Sequence, residues 1–537
     1  MKLFARILAA ALALCMIGSV AMAELTPARS PLTDGEPITF TIGVGQNSMV
    51  EDWYTNAQTK KLEKDLNVKL EFKEYPSDSK EFIQKVELEI MAGGDELPDI
   101  IMSNLGGLAN LVKYGQMGMI VPTTEYYKTH AYYTAQTLAV ENMTIEEMLP
   151  YVTCYDGEVY GVFYYAASVN NTYSRSRLMV YEPWLQALNM EKPQTTDEFA
   201  EMLRRFKNED PNGNGVADEI PMMGYAGTLD QNFMQGLMNA FITTQDNYFY
   251  HNDGKIDFAA NKDAWKEGVK WIKSLMDEGL ISPLTLTQDQ KQLTAVMNEE
   301  PEKVGVIARI SATNLGATDT RRSQYICLDP LEGPEGERHA IKYARIPGIG
   351  MVITKNCKNP EAAFMLGDYM CEETMSVWNR YGEKGVDWDV PSEGAVGVYE
   401  SAGFPAAIKV ISTWGVLQNQ WWAQVGPYVL LDKYASGQAV ENVEYNGAVA
   451  IGRSMEKALE YATPAITGLV YNEEEQEVVT EYQSTINEYV KQSFAEFITG
   501  VKDIDAEWDN YVNEFSKMGL EPYMEAVNTC YARMYGE

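Results

Sequence analysis

Histidine is scarce in this sequence. The 537 residues contain three histidines, and they lie far apart along the chain at His130, His251 and His339. Neither H-E-x-x-H nor the nucleophile motif G-x-S-x-G occurs, so we expect no histidine-based metalloprotease or hydrolase chemistry. A P-loop and a strand-linked G-x-G-x-x-G are also missing, which argues against nucleotide chemistry.

Cysteine is scarce too. Apart from Cys15 near the start, five cysteines remain, widely spaced and without a C-x-x-C pair. They are Cys154, Cys327, Cys357, Cys371 and Cys530. This spacing favours neither a disulfide framework nor a zinc knuckle, and we expect small buried thiols instead.

Basic residues are outnumbered by acidic ones, 43 against 77, and the net charge is −34. Such a surface repels phosphate backbones, so no nucleic acid is expected as a partner. Solubility explains the acidity more simply than a specific cationic partner does. With so many carboxylates, accidental pairs are guaranteed, and the sequence alone leaves open whether one pair acts on glycosides.

The first 23 residues have the layout of a cleavable secretory signal. Lys2 and Arg6 precede an apolar run over residues 7–20, and a small-residue cleavage site follows at Ala21-Met22-Ala23. No later run of about 18 apolar residues occurs, so no membrane-spanning helix is expected. Because Cys15 lies inside the apolar run, we expect a protein exported to the periplasm, cell envelope or medium without a lipid anchor.

Removal of the predicted signal leaves 514 residues with a net charge of −36, since two basic and no acidic residues are lost. This length exceeds one hydrophobic nucleus and predicts two lobes. Strand patterns at residues 38–44, 68–72 and 98–102 alternate with helical patterns at 54–66 and 82–90. That order predicts right-handed crossovers and a parallel sheet, hence an α/β lobe.

Ligands of such sheets bind beyond the carboxyl ends of the strands. The residues that follow the predicted strands are candidates for ligand binding. They are Gly45, Gln46, Asn47, Ser103 and Asn104. The alternative is that they are ordinary solvated loop residues.

A second α/β segment begins near Leu178. A capping box from Thr195 to Glu198 opens an amphipathic helix, and Gly348 through Ile353 has the pattern of a strand. Roughly the last 60 residues have the pattern of aromatic-rich helices. We therefore expect two lobes, each a mainly parallel sheet flanked by helices, joined by crossing strands and followed by a helical C-terminal extension.

One segment has the spacing of a calcium loop. Residues 210–219 place oxygen donors at alternate positions, with a glycine at the sixth. The predicted ligands are Asp210, Asn212, Asn214, the carbonyl of Val216, Asp218 and Glu219. The alternative is an asparagine-glycine turn without metal. We favour a structural Ca²⁺, because the carboxylates would otherwise repel one another.

Aromatic residues are numerous, with 10 tryptophans and 33 tyrosines, and stacking on sugar faces is one use for them. Trp184 and Trp508 lie in apolar helical contexts and are expected in the core. Four tryptophans in less periodic segments are candidates for a ligand cleft. They are Trp388, Trp414, Trp421 and Trp422.

Several segments, in order along the chain, resemble family 1 extracellular solute-binding proteins of ABC transporters, in particular the branch that includes alginate-oligosaccharide-binding proteins. The matching segments are Leu97-Pro98-Asp99-Ile100, Tyr114 to Gly118, Asp156 to Gly161, Asp210 to Pro221, Thr354 to Ala363, Tyr381 to Trp388 and Trp508 to Gly519. The resemblance implies a type II periplasmic-binding-protein-like fold whose lobes close around a ligand and dock on a permease. It also implies calcium at residues 210–219.

By the family's order of segments, we place one lobe at residues 24–172 and 315–385, and the other at 173–314 and 386–537. The expected partners are a carbohydrate, with an oligosaccharide favoured, and ABC permease subunits, with the protein itself a monomer. Arg309 and Arg345 are candidates for a local basic patch in the cleft, or for surface ion pairs. An exported glycan-active enzyme and a glycan sensor without a permease are the alternative functions.

Overall fold

The computed structural model describes residues 31–166, 177–225, 233–309, 321, 324–400, 403–412, 417–440, 458 and 460–536. The predicted signal lies outside this part of the chain. Within it, no helix is both long and apolar enough to cross a bilayer. The five cysteines after Cys15 are buried free thiols, as predicted.

Strands and helices alternate through most of the chain. Up to residue 166 they are β1 (Ile38–Gly45), α1 (Ala57–Leu66), β2 (Val68–Tyr75), α2 (Ser79–Met91), β3 (Ile100–Ile101), α3 (Leu108–Gln116), α4 (Thr124–His130), α5 (Tyr132–Ala139), α6 (Ile145–Met148) and β4 (Val162–Ala166). From residue 177 to 353 they are β5 (Arg177–Tyr181), α7 (Glu182–Ala187), α8 (Thr196–Asn208), β6 (Ile220–Met222), α9 (Phe233–Met238), β7 (Phe249–Asn252), β8 (Lys255–Phe258), α10 (Asp263–Asp277), α11 (Gln290–Met297), β9 (Val304–Arg309), β10 (Tyr325–Cys327), β11 (Ala340–Lys342) and β12 (Gly348–Ile353). The remainder are α12 (Pro360–Met370), α13 (Glu373–Tyr381), β13 (Trp388–Asp389), β14 (Val396–Gly397), β15 (Lys409–Val410), β16 (Val429–Leu430), α14 (Asp432–Ala435), β17 (Ala439–Val440), β18 (Ala462–Pro464), α15 (Glu473–Ile498), α16 (Ile504–Lys517) and α17 (Leu520–Tyr535).

The first sheet has six strands in the order β16-β4-β12-β3-β1-β2. β1 pairs in parallel with β2 and β3, as the strand and helix alternation predicts. The period-two pattern of β1 buries Phe40, Ile42 and Val44. β12 is antiparallel to both of its neighbours, β3 and β4.

The second sheet has four strands in the order β10-β5-β9-β6. Only β6 and β9 pair in parallel, whereas β5 is antiparallel to β9 and β10. The expectation of a mainly parallel sheet is therefore wrong for this part of the chain. Parallel neighbours arise when a helix returns the chain over the same sheet. β5 instead follows a strand of the first sheet, β4, and it runs opposite to its neighbour β9.

Each sheet has its own hydrophobic core. The first core gathers residues from 40–165, 349–375 and 421–431. The second gathers residues from 178–331 and from α15 to α17, which cover it with buried aromatic side chains such as Phe494 and Tyr511. The lobe boundaries stay a prediction, although the packing of Trp421 and Trp422 in the first core favours a return of the chain to that lobe.

Candidate functional site

The loops after β1 and β3 contain the residues that the sequence predicts for ligand binding. Gln46 is exposed and Asn47 is half-buried, and the Asn47 Oδ1 accepts a bond from the Met49 N–H at 2.9 Å. After β3, Ser103 Oγ accepts from the Leu105 N–H at 3.1 Å, and the exposed Asn104 accepts from the Gly106 N–H at 3.1 Å. These side-chain oxygens therefore shape the loops themselves.

The loop after β3 leads directly into α3 and forms one side of a cavity. Gly106 and Gly107 have φ angles of 90° and 108°, which glycine adopts without strain. No side chain caps the start of α3, so its first N–H groups are not satisfied in the usual way. The turn presents the first residues of this helix at the carboxyl end of the first sheet.

A cavity of about 300 Å³ lies between this loop and the start of α15. We call it the interlobe pocket, because its two sides come from segments that lie with the two different cores. Its lining residues are Gly106, Leu108, Ala109, Cys154 and Tyr155 on one side, and Leu469, Val470, Tyr471, Gln476, Val479 and Gln483 on the other. This volume is at the lower end of the range for small-molecule sites.

Among the described residues that line the interlobe pocket, none has a charged side chain. Tyr155 and Tyr471 supply aromatic faces, and burial raises the pKa of both phenols, so both stay neutral. Gln483 Nε2 donates to Asn247 at 2.7 Å, which fixes its amide. Aromatic faces combined with neutral hydrogen-bonding groups suit a polyhydroxyl ligand.

The sequence patterns did not single out these lining residues. Tyr155 directly precedes the Asp156 to Gly161 segment that carries part of the family resemblance. Tyr471 directly precedes the capping box of Asn472 and Glu475 that starts α15. An aromatic residue beside a helix start is a weak signal, and only the fold brings Tyr155 and Tyr471 to one cavity.

The segment 417–422 lies against the loop after β1. Gln418 Nε2 donates to the Met49 carbonyl at 3.0 Å, and the Glu51 N–H donates to the Gln418 carbonyl at 2.9 Å. Two of the predicted cleft tryptophans, Trp421 and Trp422, are thereby brought close to the Gln46 and Asn47 loop. Trp421 is 3% exposed, and no described residue accepts a bond from its indole N–H.

Trp422 and Trp388 are core residues in this structure. Trp422 is fully buried between Trp53 and Phe72, and its indole N–H donates to Thr59 Oγ1 at 2.9 Å. Trp388 is 7% exposed, and its indole N–H donates to the Gly382 carbonyl at 2.9 Å. Burial leaves neither ring a face for a sugar, so we assign both to packing rather than to the ligand cleft.

Three candidates remain, and the structure describes the side chain of Arg345 among them. Arg345 forms an ion pair with Asp432, as one of its two alternatives expects, and both side chains are half-buried. Arg309 ends β9, and its side chain lies outside the described part of the structure. Trp414 also lies outside the described residues.

Thr59→Val tests the packing role of Trp422. The substitution keeps the side-chain shape but leaves the buried indole N–H without an acceptor, and it removes the 2.7 Å bond from Thr59 Oγ1 to the Trp53 carbonyl. We expect a loss of about 1–3 kcal/mol in the free energy of unfolding, measured by urea denaturation. Unchanged stability together with weaker ligand binding would instead place Trp422 in the binding site.

The predicted calcium loop lies between α8 and β6. Asp210 has a φ of 48°, and its carboxylate accepts from the N–H groups of Asn214 and Gly215 at 3.1 and 3.0 Å. The side-chain amides of Asn212 and Asn214 donate to Asp218 Oδ1 at 3.2 and 2.9 Å. The Val216 carbonyl accepts from the Asp218 N–H at 2.9 Å. All the predicted ligands before Glu219 therefore lie within one tight turn.

One carboxylate oxygen of this loop has no hydrogen-bond partner among the described residues. Glu219 Oε1 is buried without a hydrogen-bond partner, and burial with the charges of Asp210 and Asp218 raises the pKa of this carboxyl. Amide rotation of Asn212 and Asn214 would turn oxygens toward the position their nitrogens now occupy. Within the described residues no three His, Cys, Asp or Glu side chains already converge as a metal site, so the asparagine oxygens would be needed.

Known proteins are similar to this chain over most of its length. The family model for bacterial extracellular solute-binding proteins matches residues 57–376. The fructooligosaccharide ABC transporter substrate-binding protein FusA of Streptococcus pneumoniae serotype 4 is 28% identical over 492 residues, which are 88% of this chain and 86% of that protein.

Solved structures show the same fold. S. pneumoniae FusA in complex with kestose has a TM-score of 0.76 at 25% identity, over 93% of this chain and 99% of that chain, and an EF-hand mutant of FusA with fructo-nystose matches equally well. The alginate-binding protein AlgQ2 without calcium ion has a TM-score of 0.68 at 19% identity, over 94% of this chain and 99% of that chain. These matches confirm the predicted two-lobe α/β fold.

Proposed function

We propose, since the chain belongs to the bacterial extracellular solute-binding proteins, that it captures a neutral oligosaccharide in the interlobe pocket and delivers it to an ABC transporter permease. The observation that carries this proposal is the described lining of the pocket, in which Tyr155, Tyr471 and glutamine amides stand without a charged side chain among them. The naming of FusA as a fructooligosaccharide-binding protein supports the same ligand class.

An acidic oligosaccharide fits this pocket less well. A uronate chain would bring carboxylates to a lining whose described residues include no basic side chain, on a protein whose net charge is −34. The expectation that the chain is not an enzyme is confirmed, because the relatives are substrate-binding proteins.

A structural calcium ion at residues 210–219 is the second part of the proposal. Asp210, Asn212, Asn214, Asp218, Glu219 and the Val216 carbonyl would hold it, and the ion would neutralise the three carboxylates. The unpaired, buried Glu219 Oε1 supports this assignment, as does the EF-hand of FusA. The loop ends where β6 begins, so the ion would hold the connection from α8 to the second sheet without contacting the ligand.

Membership in an extracellular family makes this an exported protein. We further propose that residues 1–23 are the cleaved signal, that the mature protein carries no lipid anchor, and that it acts as a monomer which docks on permease subunits. A glycan sensor without a permease would bind the same ligands but form no permease complex. Co-purification of the protein with candidate permease subunits, with and without saccharide, separates the two.

A thermal-shift screen tests the ligand class. Neutral trisaccharides such as kestose and maltotriose are compared with oligogalacturonate and oligoalginate, all in calcium. We expect saturable stabilisation by a neutral saccharide, about 2.7 kcal/mol at 100-fold excess over Kd, and none by the uronates. Stabilisation by uronates alone would overturn the neutral class, and release of cleaved products from any glycan would overturn the binding-protein assignment.

A further inference from the structure

One wall of the interlobe pocket is a short connection without regular structure. Residues 465–472, which we call the strap, join β18 to α15 and supply Leu469, Val470 and Tyr471 to the lining. A connection of this kind has no regular series of backbone hydrogen bonds to hold it in place. Its position must therefore be fixed by contacts with its neighbours.

Gln245 holds the first part of the strap, where its Oε1 accepts from the Ile466 N–H at 2.5 Å, and the last turn of α17 holds the part that follows. Arg533 Nη2 donates to the Val470 carbonyl at 2.8 Å, and Met534 Sδ accepts from the Val470 N–H at 3.1 Å. Tyr535 donates its hydroxyl to the Thr467 carbonyl at 2.9 Å. Both backbone polar groups of Val470 are thus bound by neighbouring residues of one helical turn.

Arg533 also fixes the start of α15. Its Nη2 lies 2.5 Å from Glu475 Oε2, and Glu475 is only 5% exposed. Glu475 in turn forms the capping box with Asn472, with both bonds at 2.8 Å. One guanidinium therefore holds the strap and the helix start that carries Gln476, Val479 and Gln483 into the same pocket.

The strap is in close contact on its other face as well. Gly468 has a φ of 70°, and a Cβ there would lie 2.8 Å from the Tyr151 ring and 3.4 Å from Ile346. Residues 149–151 adjoin α6, which packs in the first core. The strap therefore passes between the first core and α17, and its backbone has little room to move while α17 holds it.

We propose that the last turn of α17, Arg533 to Tyr535, is a clasp that preorganises the pocket wall for ligand binding. None of the three residues lines the pocket, so they are positioning residues. Without the clasp, the strap would have to become ordered when the ligand binds, and that ordering would subtract from affinity. This inference rests on the proposed saccharide binding in the interlobe pocket.

Arg533→Gln, in the full-length mature protein, tests the clasp. A matched control is Arg204→Gln, because Arg204 forms a comparable two-bond pair with Glu278 at 2.6 and 2.8 Å on the exposed face of α8 and does not line the pocket. Hydrogen exchange of residues 467–472 is measured without saccharide, and the Kd for kestose is measured by calorimetry. We expect at least tenfold faster exchange in the strap and about tenfold weaker binding for Arg533→Gln, with neither change in the control.

Arg533→Lys separates positioning from charge. Lysine keeps a cation beside Glu475 but lacks the fork that reaches Glu475 and the Val470 carbonyl together, so we expect values between those of the wild type and Arg533→Gln. Exchange equal to wild type in Arg533→Gln would overturn the clasp, and faster exchange with unchanged affinity would overturn its role in binding. If the wild type binds no saccharide, the proposed function fails, while the exchange data still decide whether the clasp holds the strap.

Discussion

Ala109→Trp should abolish saccharide binding and leave the protein folded. Ala109 is an exposed residue in the first turn of α3, and its side chain faces the interlobe pocket. An indole at this position occupies much of a cavity of about 300 Å³ and removes the room for a sugar ring. We expect the Kd to rise at least 100-fold, or about 2.7 kcal/mol, in calorimetry with the saccharide that stabilises the wild type.

The exposure of Ala109 makes this a clean test of the site. A surface indole does not overpack a core, so the melting temperature without ligand should stay near that of the wild type. Val501→Trp is the matched control, because Val501 is 74% exposed and does not line the pocket. Wild-type affinity in Ala109→Trp would place the binding site elsewhere between the lobes.

Calcium should stabilise the wild type strongly, and Glu219→Gln should remove the response. At 100-fold excess over Kd the ion contributes about 2.7 kcal/mol, which corresponds to roughly 5–10 °C in melting temperature for a lobe of this size. Glu219→Gln removes the carboxylate that the structure leaves buried and unpaired. Scanning calorimetry in calcium and in chelator gives both values.

The melting temperature of Glu219→Gln relative to the wild type should change sign between calcium and chelator. Without the ion, Glu219 is a half-buried carboxylate beside Asp210 and Asp218, and partial burial together with their charges raises its pKa. We therefore expect Glu219→Gln to melt at or above the wild type in chelator, and below it in calcium. Glu191→Gln, an exposed change in the same part of the chain, should behave as the wild type in both. A wild-type melting temperature that is the same in calcium and in chelator would contradict calcium binding.

Much of the first sheet could be predicted from local pattern alone. The alternation in β1 and β2, and the spacing of Phe82, Val86 and Ile90 in α2, follow from the two side-chain periods and from one buried face per element. The predicted calcium loop is a local pattern too, because its candidate oxygen donors lie within ten residues of one another. Local patterns of this kind do not depend on the rest of the fold.

Features that depend on distant contacts could not be predicted in this way. Trp422 lies in a segment whose sequence suggests a cleft residue. Its indole N–H, however, donates to Thr59, which is 363 residues away in the sequence. Tyr155 and Tyr471 become neighbours only when the strap passes the first core. The antiparallel pairing of β5 with β9 is also a contact between distant segments, and the local alternation of side chains does not indicate its direction.

The place of β12 in the first sheet has a consequence for how the protein is made. β12 lies between β3 and β4 and begins at Gly348, long after β4 ends at Ala166. The sheet therefore cannot close until most of the chain has been synthesised, and such non-local pairing is slow to form. We therefore expect the first sheet to form only after residue 353 has been made, which favours export of the chain before it folds.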